Sequence, residues 1–214
     1  MSESPPPHAL LRPRIALPFL LIGLIWGSTW VVLADQLRGP PPAWSVAIRF
    51  AIATPIMFAL ALITRQRLAM TLRAHLLMVV VGVLQFTVNY NFVYRAEQHL
   101  TSGIVGLTTG LIIVPNALFG WLLLGERVTP RFMLGSILAV SGVALLLVNE
   151  AMPAGPVHNV GAGMAFSLIA VTAASLSSVI QANDTGRSLP MTTLVAWSML
   201  YGALANLAYA AIGW

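Results

Sequence analysis

The chain has 214 residues, of which 58% are hydrophobic and only 8% charged, with a mean hydropathy of +0.86. A soluble domain carries roughly a quarter of its residues charged, so a water-soluble globule is excluded and a polytopic membrane protein is expected. The formal charge of +5 comes from eleven arginines that lie mostly between apolar runs, where topology accounts for them better than nucleic acid does.

Residues 1–14, MSESPPPHALLRPR, form a polar, proline-rich tail ending in Arg12 and Arg14. The apolar run behind it is too long for a signal peptide and lacks a small-x-small cleavage site. It is the first of seven segments long enough to cross roughly 30 Å of hydrocarbon: Ile15–Ala34, Trp44–Thr64, Ala74–Tyr94, Thr101–Leu124, Phe132–Val148, Val160–Gln181 and Met191–Ile212. The expected fold is therefore all-α, and the short links make neighbouring helices antiparallel.

Trp26 and Trp30 lie four apart in the first span, as cavity wall or as lipid-facing aromatics. Pro40, Pro41 and Pro42 stiffen the next link. Arg49 lies about five residues inside the second span, roughly 8 Å along the helix. A cation there faces the bundle or a wet cavity and suits an anionic substrate group, unless it snorkels outward or pairs with Asp35.

Gln85 and Asn89 share one face of the third span, with Asn91 and Tyr94 nearer its outer end; Thr108 and Asn116 share one face of the fourth. Arg49, Asn89 and Thr108 fall at similar depth. A polar ring at one level suits a substrate site near the midplane, although interhelical hydrogen bonds produce the same pattern.

Pro115 interrupts the fourth span and frees a carbonyl near Leu111. A polar hinge, Gly125 to Arg131, follows. In it Glu126 is expected to accept from the backbone at the start of the next helix, around Thr129–Arg131, the sharper alternative being proton coupling. Small residues (Gly23/Gly27, Gly106/Gly110, Gly135/Ala139/Gly142) are expected where helices pack closely. The longest break is Met152-Pro153-Ala154-Gly155-Pro156.

The arginines set the orientation. With the N-terminus inside, Arg12, Arg14, Arg65, Arg67, Arg73, Arg127, Arg131 and Arg187 are cytoplasmic and only Arg38 and Arg95 are outside. The positive-inside rule thus predicts a cytoplasmic N-terminus and, after seven spans, an outer C-terminus. Asp35, Glu97, Glu126, Glu150 and Asp184 all fall at span ends or in links and Glu3 in the tail, so no buried carboxylate is expected.

The histidines, His8, His75, His99 and His158, are scattered without metal-ligand spacing. No HExxH, GxSxG or P-loop occurs. The lack of lysine excludes a Schiff base, and the lack of cysteine excludes disulfides and thiolate metal sites. Neither an enzyme, a cofactor, a metal nor a nucleic-acid partner is expected.

Pro42 precedes Arg49 by seven residues as Pro190 precedes Trp197, and glycines open the span before each. A five-span unit starts its successor from the opposite side of the membrane, so its repeat is inverted.

Several pieces stand in a telling order: Trp26-Gly27-Ser28-Thr29-Trp30, Pro41-Pro42 through Arg49-Phe50, Asn89-Tyr90, Ala96, Thr101-Ser102-Gly103, Pro115, Leu124-Gly125-Glu126-Arg127-Val128-Thr129, Gly135 and Gly142. Together they resemble the EamA family of the drug/metabolite transporter superfamily. The resemblance implies ten spans in two inverted repeats with a substrate cavity between them. On that plan 1–14 is a cytoplasmic tail, 15–149 a complete five-span repeat, 150–159 an outer linker, and 160–214 the first two spans of a second repeat, whose last three are absent.

The resemblance also implies a permease in the inner or plasma membrane that exports small metabolites, amino-acid-like compounds or drugs by alternating access. Its candidate cavity residues are Trp26, Arg49, Gln85, Asn89, Thr108 and Asn116, with Pro115, Gly125 and Glu126 as hinge or cap. The other readings are a non-transporting fragment or interaction subunit, a homo-oligomer, and a seven-helix receptor or sensor. A receptor of that kind would need an outer N-terminus.

Overall fold

A computed structural model describes residues 13–150 and 159–212. The tail with Glu3, His8 and Arg12, and linker positions 151–158 with His158, lie outside the described residues. Among those residues every regular element is helical: α1 (Pro13–Gln36), α2 (Pro42–Ile63), α3 (Leu72–Gly82), a π-helical segment (Val83–Asn89), α4 (Tyr90–Glu97), α5 (Ser102–Gly110), α6 (Ile113–Leu124), α7 (Pro130–Glu150), α8 (Val160–Gln181), a short α9 (Asp184–Arg187) and α10 (Met191–Ile212). They make seven segments long and apolar enough to cross a membrane, the third built from α3, the π segment and α4, the fourth from α5 and α6. The chain is an all-α polytopic membrane protein.

Local chemistry sets the helix ends. Pro41 and Pro42 open α2, where a missing N–H costs nothing. Side chains cap α3, α7, α8 and α9: Thr71 accepts from the Ala74 amide, Thr129 from Phe132, Asn159 from Ala162 and Asn183 from Gly186. Gly125 closes α6 in the left-handed region (φ 70°) that glycine adopts without strain. Arg65 takes the corresponding place after α2 (φ 53°), where the Gln66 amide donates to Ala61 O at 2.8 Å.

α10 packs between α2 and α3, and α8 lies against α4, the π segment and α6. Leu33, Val46, Phe50, Tyr94 and Val105 fill one end of this bundle, and Leu77, Met78, Val81 and Leu194 the other. Phe50 meets Phe86 and Tyr90 edge-on, with ring centroids 5.0 and 4.8 Å apart. α1 and α7 are peripheral, and residues such as Leu24, Val31 and Leu145 present apolar surface to lipid.

Most of the glycines expected to bring helices together do not. A methyl at Gly23, Gly27, Gly110, Gly135 or Gly142 would meet nothing within 4 Å, because these positions lie on sparsely packed faces; only Gly106 touches another span, beneath Trp30. The close crossings lie elsewhere. A Cβ on Gly82 would come within 2.4 Å of Ser198 O, and one on Gly202 within 2.8 Å of Gly82 O, so the third and seventh spans touch backbone to backbone. Gly163 likewise lets α8 approach Leu100.

Candidate functional site

The third span is not one regular helix. Between Val83 and Asn89 its turns widen to π geometry, a distortion often found at functional sites. Apolar surroundings demand partners for the carbonyls that this disturbs. Asn206 Nδ2 donates to Phe86 O at 2.8 Å, and Asn91 Nδ2 donates to Thr87 O at 2.9 Å and to Asn206 Oδ1 at 2.7 Å. Thr87 Oγ1 donates to Gly202 O at 3.1 Å, and Asn89 Nδ2 to Ala170 O at 3.0 Å. The π segment is thus tied to both the sixth and the seventh span.

Two clefts lie along the seam between the third and seventh spans, one on each side of this knot. The first, of about 270 Å³, is lined by Gln85 and Phe86 of the π segment, Ser178 and Gln181 of α8, and Leu194 and Ser198 of α10. Among the described residues no formally charged side chain lines it. Gln181 Nε2 donates to Ser177 O at 3.2 Å, and Ser178 to Ala174 O at 2.9 Å. The Ser198 hydroxyl is fully buried and has no partner among the described residues.

This cleft lies toward the links Thr64–Thr71 and Ala182–Pro190. α10 is pinned to the first of these links: Thr193 Oγ1 donates to Arg67 O at 3.0 Å and Trp197 Nε1 to Leu68 O at 3.1 Å. At the same end of the bundle Tyr201 Oη and His75 Nδ1 are 2.9 Å apart.

The second cleft, of about 240 Å³, lies at the opposite end, between the start of α2 and the ends of α4 and α10. Pro42, Asn91, Arg95, Gln98 and Tyr209 line it. Arg95 donates to the Tyr209 hydroxyl and lies over the Phe92 and Tyr209 rings. Asn91 borders this cleft and also bonds Asn206, whose amide reaches Phe86 beside the first cleft.

The six cavity candidates do not form a single ring. Gln85 is the one that lines the first cleft. Asn89 is buried and bonds α8. Arg49 is half-buried, its guanidinium 5.2 Å from the Tyr90 ring centroid. Thr108 is buried and bonds Ile104 O of its own helix at 2.9 Å. The half-buried Asn116 keeps a carbonyl oxygen without a partner among the described residues. Trp26 is 61% exposed on the outer face of α1.

At the hinge residues, the fourth span breaks at Leu111–Ile112, ahead of Pro115, and the Val114 amide takes Leu111 O at 2.9 Å. The Glu126 carboxylate does not cap α7; it turns back over Gly120, and Thr129 supplies the cap. Glu97 also departs from expectation. It ends the third span yet is buried, with Ser102 beside it and neither carboxylate oxygen hydrogen-bonded, because α5 and α8 close around the turn.

Sequence reasoning passed over Ser178, Gln181, Ser198 and Asn206. Ser178 and Gln181, three apart in an apolar helix, were a signal, as were Ser198 with Tyr201 and Asn206 with Tyr209 at the same spacing.

The family model described as "EamA-like transporter family" matches residues 14–148, the first five spans. Protein PagO of Salmonella typhimurium is 22% identical over 203 residues, covering 95% of this chain and 65% of PagO. The uncharacterized transporter YvbV of Bacillus subtilis is 28% identical over 139 residues, 64% of this chain and 45% of YvbV. An uncharacterized transporter of Buchnera aphidicola is 22% identical over 90 residues, 42% of this chain and 30% of its own. The chain thus spans less than two thirds of the length of each of these relatives. No solved structure gives a significant match.

Proposed function

The chain belongs to the EamA-like transporter family, within the drug/metabolite transporter superfamily, and on that premise we propose that it moves small solutes across a cell membrane by alternating access along the seam between its third and seventh spans. One observation carries the reading: two clefts open toward opposite ends of the bundle, and between them stands a hydrogen-bonded seal of Asn91, Asn206 and Thr87 on a π-helical segment. A carrier needs a site reachable from either side and a barrier that reforms behind the solute. A π segment, with weaker internal bonding than an α-helix, suits a barrier that rearranges.

In this reading the N-terminus is cytoplasmic, since Arg65, Arg67, Arg73, Arg127, Arg131 and Arg187 gather on the side of the first cleft. Solute exported along this path enters from the cytoplasm at the first cleft and leaves past Arg95. Gln85 binds solute, Asn89 holds the sixth span in place, and Arg49 braces the outer half through Tyr90. Residues 15–149 act as one repeat, and the spans after residue 159 supply the facing wall in inverted orientation.

The test is flux. Vesicles containing the full chain are loaded with a mixture of small polar metabolites, and their loss is followed by mass spectrometry. Selective, saturable loss above that of empty vesicles, reduced by Gln85→Leu, is expected. Loss equal to that of empty vesicles contradicts transport.

A further inference from the structure

The lining of the first cleft carries information about what it holds. At about 30 Å³ per water in the liquid, a cavity of about 270 Å³ takes roughly nine waters. That is below the range of about 300–1,000 Å³ typical for drug-sized ligands, so the occupant is small. Its polar groups are all uncharged: the amides of Gln85 and Gln181 and the hydroxyls of Ser178 and Ser198. Phe86 and Leu194 supply an apolar wall.

The arginines of the adjacent links, Arg67, Arg73 and Arg187, are not among the lining groups. A charged solute would therefore lose its hydration with no counter-charge to replace it. A hydroxyl-rich neutral solute would exchange water for amide and hydroxyl partners group for group. The buried Ser198 hydroxyl at the edge of the cleft has no hydrogen-bond partner among the described residues.

We propose that the cleft lined by Gln85, Ser178, Gln181 and Ser198 is a binding site for an uncharged polyhydroxyl solute of monosaccharide size, selective against anions and cations. The inference rests on the transport reading for its purpose but not for its test. Gln85 offers a donor pair and an acceptor, Gln181 its carbonyl oxygen, since its amide nitrogen is held by Ser177, and Ser178 a hydroxyl oxygen that accepts, while the Phe86 ring covers the apolar face of a sugar ring.

The experiment uses the full chain in lipid nanodiscs and three probes of one ring size: D-glucose, protonated glucosamine and glucuronate. Affinities are read by saturation-transfer NMR. Glucose is expected to bind at least about tenfold more tightly than either charged analogue. Gln85→Leu and Gln181→Leu each weaken glucose about tenfold, with the helical spectrum unchanged. Gln85→Glu shifts the preference toward glucosamine, which a purely structural Gln85 would not produce.

Tighter binding of glucosamine or glucuronate, glucose affinity unaffected by both neutral variants, or no binding of any probe would each overturn the assignment. Binding is measured without flux, so the two readings fail separately. Nanodisc affinities as expected but vesicles without flux would leave the site and remove the transport reading. Flux without glucose binding at Gln85 would do the reverse.

Discussion

At the level of single residues, Asn206 ties the seventh span to the third. It accepts from Asn91 and donates to Phe86 O, and it is wholly buried. Interhelical hydrogen bonds in membranes average only about 0.6 kcal/mol, so the lost contact alone would be a weak effect. Leaving the Phe86 carbonyl without its side-chain donor and one of the two Asn91 amide hydrogens unpaired costs more, on the order of 1–3 kcal/mol. Asn206→Leu is therefore expected to lower the melting temperature clearly in detergent. Adding Asn91→Leu should cost less than the sum of the single variants, because the pair fails as a unit. Full additivity would show that the two amides are energetically independent.

At the scale of elements, the bundle depends on one close crossing. Gly82 and Gly202 let the third and seventh spans meet where a Cβ would fall within 3 Å of backbone oxygen. Gly202→Ala must push the helices apart, at a cost of about 1–3 kcal/mol or more. Gly135→Ala on the open face of α7 is expected to be neutral or slightly stabilising. Equal melting shifts for the two variants would show that the crossing does not hold the bundle together.

This contrast shows what was legible in the sequence and what was not. The seven spans were, to within about three residues, because apolar length is a property of each segment by itself. The packing glycines were not: Gly135 and Gly202 sit in equally apolar helices, and only the tertiary arrangement decides which faces another backbone. The π segment was also invisible, since VLQFTVN has no composition that separates it from α-helix. Glu126 and Thr129 are both plausible caps by residue type, and the turn geometry after Gly125 selects Thr129. Of the six polar or aromatic candidates Gln85 is the one that lines the first cleft: Asn89 and Thr108 hydrogen-bond helix carbonyls, Arg49 lies over a ring, Trp26 faces outward, and Asn116 is half-buried away from it.

For the whole molecule, alternating access puts Gln85 on a path reachable from both sides of the membrane in turn. The chain has no cysteine, so Gln85→Cys introduces a single reactive thiol without further engineering. Its reaction with a membrane-impermeant maleimide, compared between right-side-out and inside-out vesicles, reads access to the cleft directly. Alternating access predicts modification from both faces, faster from the face carrying Arg67, Arg73 and Arg187, and slowed from either face by glucose. Modification from one face only, or from neither, would contradict alternating access along this seam.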